Sequence, residues 1–553
     1  MITSWMERAG SICLKNNQGA AGWKNTKKEG VSVKQKIFGD WKKYPLLAIC
    51  LLCVAALCAG CAKSDPKLSP IGPTGVFYKD MWSYGTGDSL NGSDRANWSA
   101  FGSRSLRREQ IGSITFTDTL SGTPEDAWDA SAARDNSVLA WAVQNGELYD
   151  LFIGAEGGVI APEDCSNLFA GYVNTTQIDL SGLDTSSVTN MSFLFHDCVS
   201  LKELDLSVLD TSSVTTMIWM FSGCEALTQI TFSGMDTSAV RDMTGLFSEC
   251  KALEKVDISS LDTSSVTDMS SFLQFCKSLK EVDLSGLKTG FVTDMAWFFY
   301  GCESLEQVDL SSLHTNHVTS MYMMFANCKA LKQLDLSCLD TAETSSLENM
   351  SRMFAGCNAL EQLILPGFTG RVRDMSAMFI GCKSLKQLDV SDLDTGNVYN
   401  MSWMFADCES LEKLDVSGFN TAAATDMHGM FSGCKALIKL DVSGFNTAAV
   451  TDMSAMFQDC EALTKLDLSG FNTAAVTDMS AMFQDCEALA KLDISGFDTS
   501  KVENVEWMFS ETRVAQPKDL EHLDFSAVKN YDYFMDGTDW EYLFEKPSRK
   551  LTN

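Results

Sequence analysis

Apolar residues recur along most of this chain with a fixed spacing of 26 residues. Aligned on cysteine, the spacing holds from Cys198 to Cys328 and continues to Cys486 with one insertion and one deletion. The insertion adds three residues within Thr341–Asn349, and the deletion removes one near Pro366–Arg371. The twelve full units indicate a protein built from stacked repeats.

The first half of each unit predicts a short helix. In the unit that begins at Met191, the residues Leu194, Phe195 and Cys198 follow at i+3, i+4 and i+7. This spacing puts the four side chains on one face of a helix. Asn190 precedes the methionine and is a suitable N-cap.

The second half of each unit predicts a strand. Leu204 and Leu206 alternate with polar residues, as expected for a strand with one buried face. One unit cannot bury its apolar side alone, so neighbours must stack, with their strands about 4.8 Å apart in a parallel sheet. We therefore predict an α/β solenoid of 26-residue units, with a parallel sheet on one face and short helices on the other.

The repeat also resembles a known family. The pattern L-x-x-L-D-L-S-G-F-D-T-S-x-V-T-D-M-S-x-M-F-x-x-C is similar to that of the BspA-like leucine-rich repeat surface proteins of anaerobic and host-associated bacteria. The resemblance covers about residues 178–528, and residues 128–169 resemble the N-terminal region of that family. It implies a right-handed leucine-rich-repeat coil, surface exposure, adhesion and protein binding, without identifying the ligand.

The two ends of such a stack need polar caps, since they would otherwise expose apolar strands. Residues 137–153 predict a β-hairpin around Gln144-Asn145-Gly146, because Asn-Gly suits a type I′ turn. We assign this small β-rich region to the N-terminal cap and the tail to the C-terminal one. The predicted divisions are a leader and signal peptide (1–60), a flexible tether (61–100), the N-terminal cap region (101–177), the leucine-rich repeats (178–504), and a degenerate repeat with the C-terminal cap (505–553).

The beginning of the chain predicts export. An uncharged stretch, residues 44–60, follows a segment with nine basic and three acidic residues. This order is typical of a secretory signal, and the apolar run is shorter than the roughly 20 residues of a membrane-spanning helix. Ala59-Gly60-Cys61 resembles a bacterial lipobox, which implies cleavage before Cys61 and lipid attachment to its sulfur. Ordinary secretion or an uncleaved anchor is the alternative.

Two C-x-x-C pairs in this stretch raise the possibility of zinc, and spacing argues against it. Only Val54–Leu57 separate the pairs, which is too little chain to wrap a tetrahedral site. We expect no metal and no cofactor.

The net charge of the chain limits the classes of partner that we expect it to bind. The net charge is −30, and the chain from Cys61 onward is near −36. Such a surface repels nucleic acid and anionic lipid headgroups. We therefore expect a monomeric, extracytoplasmic protein at the bacterial cell surface, held to the membrane only by its N-terminal lipid.

The cysteine column allows two interpretations. Stacked copies would lie close enough for disulfides, but parallel side chains do not turn toward each other. Buried free thiols, acting as small apolar groups, are favoured.

An outward strand position forms the first candidate surface for function. It is aspartate in ten of the twelve units. One interpretation is a solvated ladder, and the other is a site for a cation or a basic partner along the early units, where we name Asp257, Asp283 and Asp309 as candidates. The ten residues are Asp205, Asp257, Asp283, Asp309, Asp335, Asp389, Asp415, Asp441, Asp467 and Asp493.

The second candidate surface is the position two residues after each repeat methionine. It varies from Gly to Trp while its neighbours are constant. Exposed tryptophan is enriched in binding hot spots, although each ring could simply cover neighbouring apolar surface. The candidate binding residues here are Trp219, Trp297, Trp403 and Trp507.

An enzyme is not expected. The five histidines, His196, His314, His317, His428 and His522, fall at different repeat positions, and no glycine-rich phosphate loop is present. We predict a scaffold that binds an extracellular protein or glycan, for example in adhesion to host or neighbouring cells. A passive surface spacer is the alternative.

Overall fold

A computed structural model of the chain describes residues 99–339, 346–368, 371–512, 520 and 522–538. Contacts divide the chain into residues 1–69 and 70–553, and all described residues belong to the second unit. The predicted leader, Cys61 and most of the tether lie outside the described residues, as do parts of the C-terminal tail.

A mixed sheet precedes and joins the repeats. Its strand order is β2-β3-β4-β1-β6, with β3 and β4 antiparallel and β1 parallel to both β4 and β6. Because β6 belongs to the first repeat, this sheet continues directly into the repeats. The strands are β1 (Ile111–Thr117), β2 (Trp128–Asp129), β3 (Leu139–Asn145), β4 (Leu148–Gly154), β5 (Val159–Ile160) and β6 (Gln177–Asp179).

The predicted hairpin is confirmed as β3 and β4, but its turn is of another type. Asn145 pairs with Leu148, so the two-residue loop is Gly146-Glu147. Gly146 has φ 65°, whereas Glu147 is not among the residues with positive φ. A glycine at the first central position and an ordinary φ at the second define a type II′ turn, so the type I′ assignment is wrong.

The repeats contribute short parallel strands. β7 (Leu183–Asp184) pairs with β5, and the later strands form separate two-stranded pairs. The later strands are β8 (Glu203–Asp205), β9 (Gln229–Thr231), β10 (Gln333–Asp335), β11 (Gln362–Ile364), β12 (Gln387–Leu388), β13 (Lys413–Leu414), β14 (Lys465–Asp467) and β15 (Lys491–Asp493).

Successive repeats stack in parallel, as predicted. Fourteen parallel bridges link the residue before each methionine to its counterpart one repeat later, from Asp164 to Asn530. We call one repeat a coil. The first coil begins at Cys165, inside the segment predicted as the cap, and was missed because Cys165 and Tyr172 occupy its methionine and cysteine positions.

The predicted short helices are wrong. We call residues 191–198 and their equivalents in the other coils the Met–Cys segment. In this segment, backbone N–H groups alternate between donating to the next coil and donating within their own coil. Those of Met191, Phe193, Phe195 and Asp197 donate to carbonyl oxygens of the following coil at 2.7–3.0 Å. The N–H groups of Leu194, His196 and Cys198 donate three residues back at 3.1–3.2 Å, and the N–H of Ser192 donates to Oδ1 of Asn190 at 2.9 Å. An α-helix needs every N–H for its own ladder, so the alternation excludes one.

This alternation requires two left-handed residues in each coil. Phe193 and Asp197 both have φ 59°, and their equivalents along the stack are also positive. At the first position φ lies between 52° and 62°, whatever the side chain. At the second, glycine is frequent, for example Gly223 and Gly301, because glycine adopts this conformation without steric cost.

The core is one continuous column of coil side chains. Phenylalanine rings stack from coil to coil, for example Phe195 on Phe221 with ring centroids 5.6 Å apart. The cysteine that closes each Met–Cys segment is fully buried, and the Sγ of Cys224 donates to the Phe195 carbonyl at 3.2 Å. All fourteen described cysteines are free thiols, and all except Cys338 are buried, which confirms the interpretation of the cysteine column as buried apolar groups. Burial raises the pKa of the Cys198 thiol to about 12.

A buried threonine column also joins the coils. Thr211 is 1% exposed, and its Oγ1 donates to the Asp236 carbonyl of the next coil at 2.8 Å. In later coils the same hydroxyl also accepts an N–H, as Thr421 does from Asn446 at 2.8 Å. The Asp-Thr-Ser segment therefore does more than form a turn.

Arg108 closes the N-terminal end of the stack. In later coils, the carbonyl equivalent to Ala170 accepts an N–H from the preceding coil, but the first coil has none before it. Buried Arg108, in the 3-10 turn Arg108–Gln110, donates to the Ala170 carbonyl at 2.5 Å and to the Asn167 carbonyl at 3.0 Å. Its guanidinium lies 5.0 Å from the Tyr172 ring centroid.

We predict that Arg108→Met lowers the free energy of unfolding by about 1.5–3 kcal/mol, because it removes charged donors from buried carbonyls. Urea unfolding followed by tryptophan fluorescence measures this loss. Arg104→Met is the matched control, since Arg104 is exposed. Equal stability of the two variants would show that Arg108 does not close the stack.

Candidate binding surface

Three residues of each coil form the strand face. In β8, Leu204 points inward and is 5% exposed, while Glu203 and Asp205 are exposed on either side. Stacking repeats this triplet, so the strand face carries two polar columns that flank an apolar one. The aspartate candidates belong to one of the polar columns.

A groove of about 1180 Å³ opens on the strand face across six successive coils, from Gln229 to Ile364. Asp257, Asp283 and Asp309 all line it, so the structure brings the three aspartate candidates together. A second hollow of about 500 Å³ shares Glu281, Gln307, Gln333 and Gln362 with the first.

The groove coincides with β-branched side chains in the apolar column. This column is Leu in most coils, but four consecutive coils carry Ile230, Val256, Val282 and Val308. The strand ladder is also weakest there: between β9 and β10 the only strand-face pairing in the described chain is a bridge between residues 257 and 283. The coils stay joined at the groove edge by long hydrogen bonds, such as Glu306 N–H to the Lys280 carbonyl at 3.4 Å.

Each aspartate in the groove caps its own turn. Oδ1 of Asp257 accepts the Ser259 hydroxyl at 2.6 Å and the Ser259 N–H at 3.0 Å. These two bonds lower the pKa of Asp257. Serines two residues later likewise lower the pKa of Asp283 and of Asp309. The carboxylates are therefore charged at neutral pH and fixed in position.

Neighbouring acidic columns are neutralised by lysines of adjacent coils. Glu254 pairs with Lys280 at 2.9 Å, and Glu303 pairs with Lys329 at 3.0 Å. Such exposed pairs contribute little stability individually, but their alternating signs favour one register between similar coils. Within the described chain, no salt bridge reaches the aspartates of the groove.

The tryptophan candidates lie elsewhere. They occupy the first left-handed position of the Met–Cys segment, three or four coils apart from one another, so the structure does not bring them together. All four, Trp219, Trp297, Trp403 and Trp507, are half-buried rather than exposed.

The tryptophan rings cover the following coil. A Cβ added to Gly245 would lie 2.4 Å from Cε3 of Trp219, and one added to Gly429 would lie 2.4 Å from Cε3 of Trp403. Trp507 stacks on Tyr533 with ring centroids 4.2 Å apart. Trp297 meets Tyr322 edge-on, with ring centroids 5.1 Å apart. These contacts favour the packing interpretation of the column, because each ring packs against a residue of the following coil.

One contact superficially resembles a hydrolase site. Nδ1 of His428 lies 2.5 Å from the Ser454 hydroxyl, which itself bonds to Asp452. The same Nδ1 lies 3.0 Å from the Ser454 carbonyl, which is an acceptor, and the Ser454 hydroxyl donates to Asp452. A serine hydroxyl that donates to a carboxylate does not match a hydrolase, in which the serine donates to the imidazole.

Metal ligation finds no support on the described part of the chain. Among those residues, no cluster of three or more His, Cys, Asp or Glu side chains could hold a metal ion.

The sequence interpretation missed most of the groove. It named three aspartates but neither the glutamine column of Gln307 and Gln333 nor the branched floor. The available signal was the run of Ile and Val at a position that is otherwise Leu.

One family model matches the chain repeatedly. The family described as "Mycoplasma protein of unknown function, DUF285" matches at residues 163–285, 252–368, 348–465 and 436–541. The matched residues begin beside the first coil and reach the last. No curated protein sequence matches the chain at a significant level.

Six chains of solved structures also match. One is the crystal structure of a TLR13-ssRNA13 complex, which is 16% identical, with a TM-score of 0.23. The match covers 69% of this chain and 58% of that chain, less than two thirds of its length.

We predict that Trp219 and Gly245 are energetically coupled. Gly245→Ala should destabilise the protein, because the new methyl group would overlap the Trp219 ring. The same substitution should cost less in a Trp219→Ala background, with a coupling energy of about 0.5–3 kcal/mol. A double-mutant cycle on unfolding free energies measures it.

The control for this cycle is built into the chain. Ala455 already follows Gly429 and has φ 53°, so alanine is tolerated at this position when no tryptophan precedes it. Additive effects of the two substitutions would show that the ring does not fill the space over Gly245.

We predict opposite pH effects from two aspartates. Burial raises the pKa of Asp294, so its ionisation destabilises the fold as the pH rises through that value, and Asp294→Asn should raise the melting temperature at pH 7. The Ser285 hydrogen bonds lower the pKa of Asp283, so Asp283→Asn should lower the melting temperature at pH 7. Each difference in melting temperature should vanish once the pH lies below both the folded-state and the unfolded-state pKa of that aspartate, because the carboxyl group is then protonated in both states. Same-sign shifts at pH 7 would contradict this assignment.

Proposed function

This chain belongs to the family described as "Mycoplasma protein of unknown function, DUF285", and we propose that it is a lipid-anchored protein of the bacterial cell surface whose leucine-rich-repeat-like scaffold binds an extracellular protein or glycan. In this proposal the chain is a BspA-like adhesin that works as a monomer and has no catalytic activity. The ligand lies in the groove, and the coils hold the groove away from the membrane.

The groove is the observation that carries the proposal. Its floor and flanks come from six successive coils, so a ligand along it would contact a surface that only the assembled stack creates. A volume of about 1180 Å³ exceeds the roughly 300–1,000 Å³ of small-molecule pockets. An open groove of this size suits a segment of a macromolecule.

The proposed anchor rests on sequence. Residues 44–61 lie outside the described residues, and the argument for lipid attachment is the resemblance of Ala59-Gly60-Cys61 to a lipobox. Acyl chains anchor a protein because each buried CH₂ contributes about 0.8 kcal/mol. In the described part of the chain, no helix has the length and apolar character to cross a membrane.

We predict that Cys61→Ala abolishes lipid labelling. The full chain is expressed in a bacterial host fed an alkyne fatty acid, and labelled protein is detected in the membrane fraction. Cys58→Ala is the matched control, since it removes a nearby thiol and leaves Cys61. Continued labelling of the Cys61→Ala protein would overturn the lipid anchor.

Adhesion by the same cells tests the groove. Gln307→Trp together with Gln333→Trp fills the groove, because both side chains are exposed and line it. Lys413→Trp with Lys439→Trp places the same rings at equivalent positions beyond the groove. We expect the first pair to abolish adhesion to host or neighbouring cells and the second pair to preserve it. Equal adhesion of both variants and of cells without the protein would favour a passive spacer.

A further inference from the structure

The width of the groove restricts the shape of its ligand. Each coil contributes three consecutive strand residues, such as Glu281–Asp283, to the lining. At about 3.3 Å per residue, the floor is about 7 Å wide. An α-helix with its side chains is about 10–12 Å across, whereas an extended chain occupies about 4.8 Å beside a strand. The floor therefore fits an extended segment.

The length of the groove sets how much chain it holds. The lining spans six coils, from Gln229 to Gln362. At about 4.8 Å per coil this is about 24 Å, which corresponds to about seven residues of extended chain.

The charge of the lining defines the chemistry of the ligand. Five carboxylates line the groove against one ammonium group, that of Lys255. An apolar row, including Val256 and Val282, separates the acidic column from the glutamine column. A segment with basic side chains on one edge complements this arrangement. The five carboxylates belong to Asp257, Glu281, Asp283, Asp309 and Asp335.

The groove aspartates keep one oxygen for a ligand. In the described chain, every hydrogen bond that the four accept falls on Oδ1, for example from the Ser285 N–H to Asp283 and from the Ser311 N–H to Asp309, both at 2.9 Å. Oδ2 of each remains able to accept a hydrogen bond from outside.

The chain has neutralised other acidic columns of these same coils but not this one. Glu254, Glu303 and Glu306 each pair with a lysine of a neighbouring coil. In the last four coils, the aspartate column has lysines two residues earlier in the strand, such as Lys413 before Asp415. Within the groove only Asp257 has such a lysine, Lys255, and the next three coils carry Glu281, Gln307 and Gln333 at that position.

We propose that the groove binds an extended, positively charged peptide segment of an extracellular protein, with its basic side chains on the column of Asp257, Asp283, Asp309 and Asp335. This inference rests on the proposed function and specifies its ligand as protein rather than glycan. The backbone of the segment lies between the two polar columns, and Gln307 and Gln333 donate and accept hydrogen bonds on the other side.

The test uses the full chain carrying Cys61→Ala, purified in a nonionic detergent, and a fluorescent peptide of alternating lysine and threonine. Fluorescence polarisation measures its binding, beside peptides in which lysine is replaced by glutamine or by glutamate. We expect binding of the lysine peptide alone, with an affinity that falls as salt is added.

Two triple variants locate the site. Asp257→Asn, Asp283→Asn and Asp309→Asn together remove three of the five groove carboxylates while leaving an acceptor for each serine, and should lower affinity at least about tenfold. Asp415→Asn, Asp441→Asn and Asp467→Asn remove as many charges from the same column outside the groove and should leave affinity unchanged. Matching melting curves confirm that both triple variants are folded.

The outcomes separate this inference from the proposed function. No binding of the lysine peptide, or equal loss in both triple variants, overturns the basic-peptide ligand. If adhesion by whole cells still depends on an open groove in that case, the groove binds another class of ligand, such as a glycan, and the proposed function stands. If filling the groove also leaves adhesion unchanged, both proposals fail.

Discussion

The alternating donation of backbone N–H groups to the next coil controls this structure. In each Met–Cys segment, four N–H groups leave for the following coil and the remaining ones close tight local turns. The geometry places two residues per coil in the left-handed region and forbids a helix. The same geometry buries the face that carries methionine, phenylalanine and cysteine, because each coil covers the one before it. Packing and backbone bonding therefore select the same register.

Spacing in the sequence predicted the stacking but not the local conformation. Met191, Leu194, Phe195 and Cys198 do share a buried side, and i, i+3, i+4 and i+7 spacing cannot distinguish a helix from a chain of tight turns that repeats nearly every four residues. The informative signal was the glycine, aspartate and asparagine content of the position before each cysteine, since these residues tolerate positive φ. The first coil was not recognised in the sequence for a related reason: Cys165 and Tyr172 fill the buried methionine and cysteine positions with other residue types.

The candidate site was predictable only in part, because it depends on small differences between side chains at one buried strand position. A column of aspartates is visible in the sequence, yet it runs through coils that form no groove. What distinguishes Asp257, Asp283 and Asp309 is that they line the groove and that the residues before them are Val256, Val282 and Val308. Trp219 shows the opposite case: it is a residue type typical of binding hot spots, but its ring packs over Gly245 of the following coil.

The direction of the hydrogen bonds makes the two ends of the stack chemically unlike. In the Met–Cys segment, the leading end presents carbonyl oxygens, and the buried guanidinium of Arg108 binds them there. The trailing end of this segment presents N–H groups, which need an acceptor instead. The caps that the two ends require are therefore not interchangeable. Coils can be gained or lost in the middle of the stack without altering either end. The identical blocks Phe445–Leu463 and Phe471–Leu489 show this freedom in use: the scaffold can lengthen by duplication while its termini and its groove keep their chemistry.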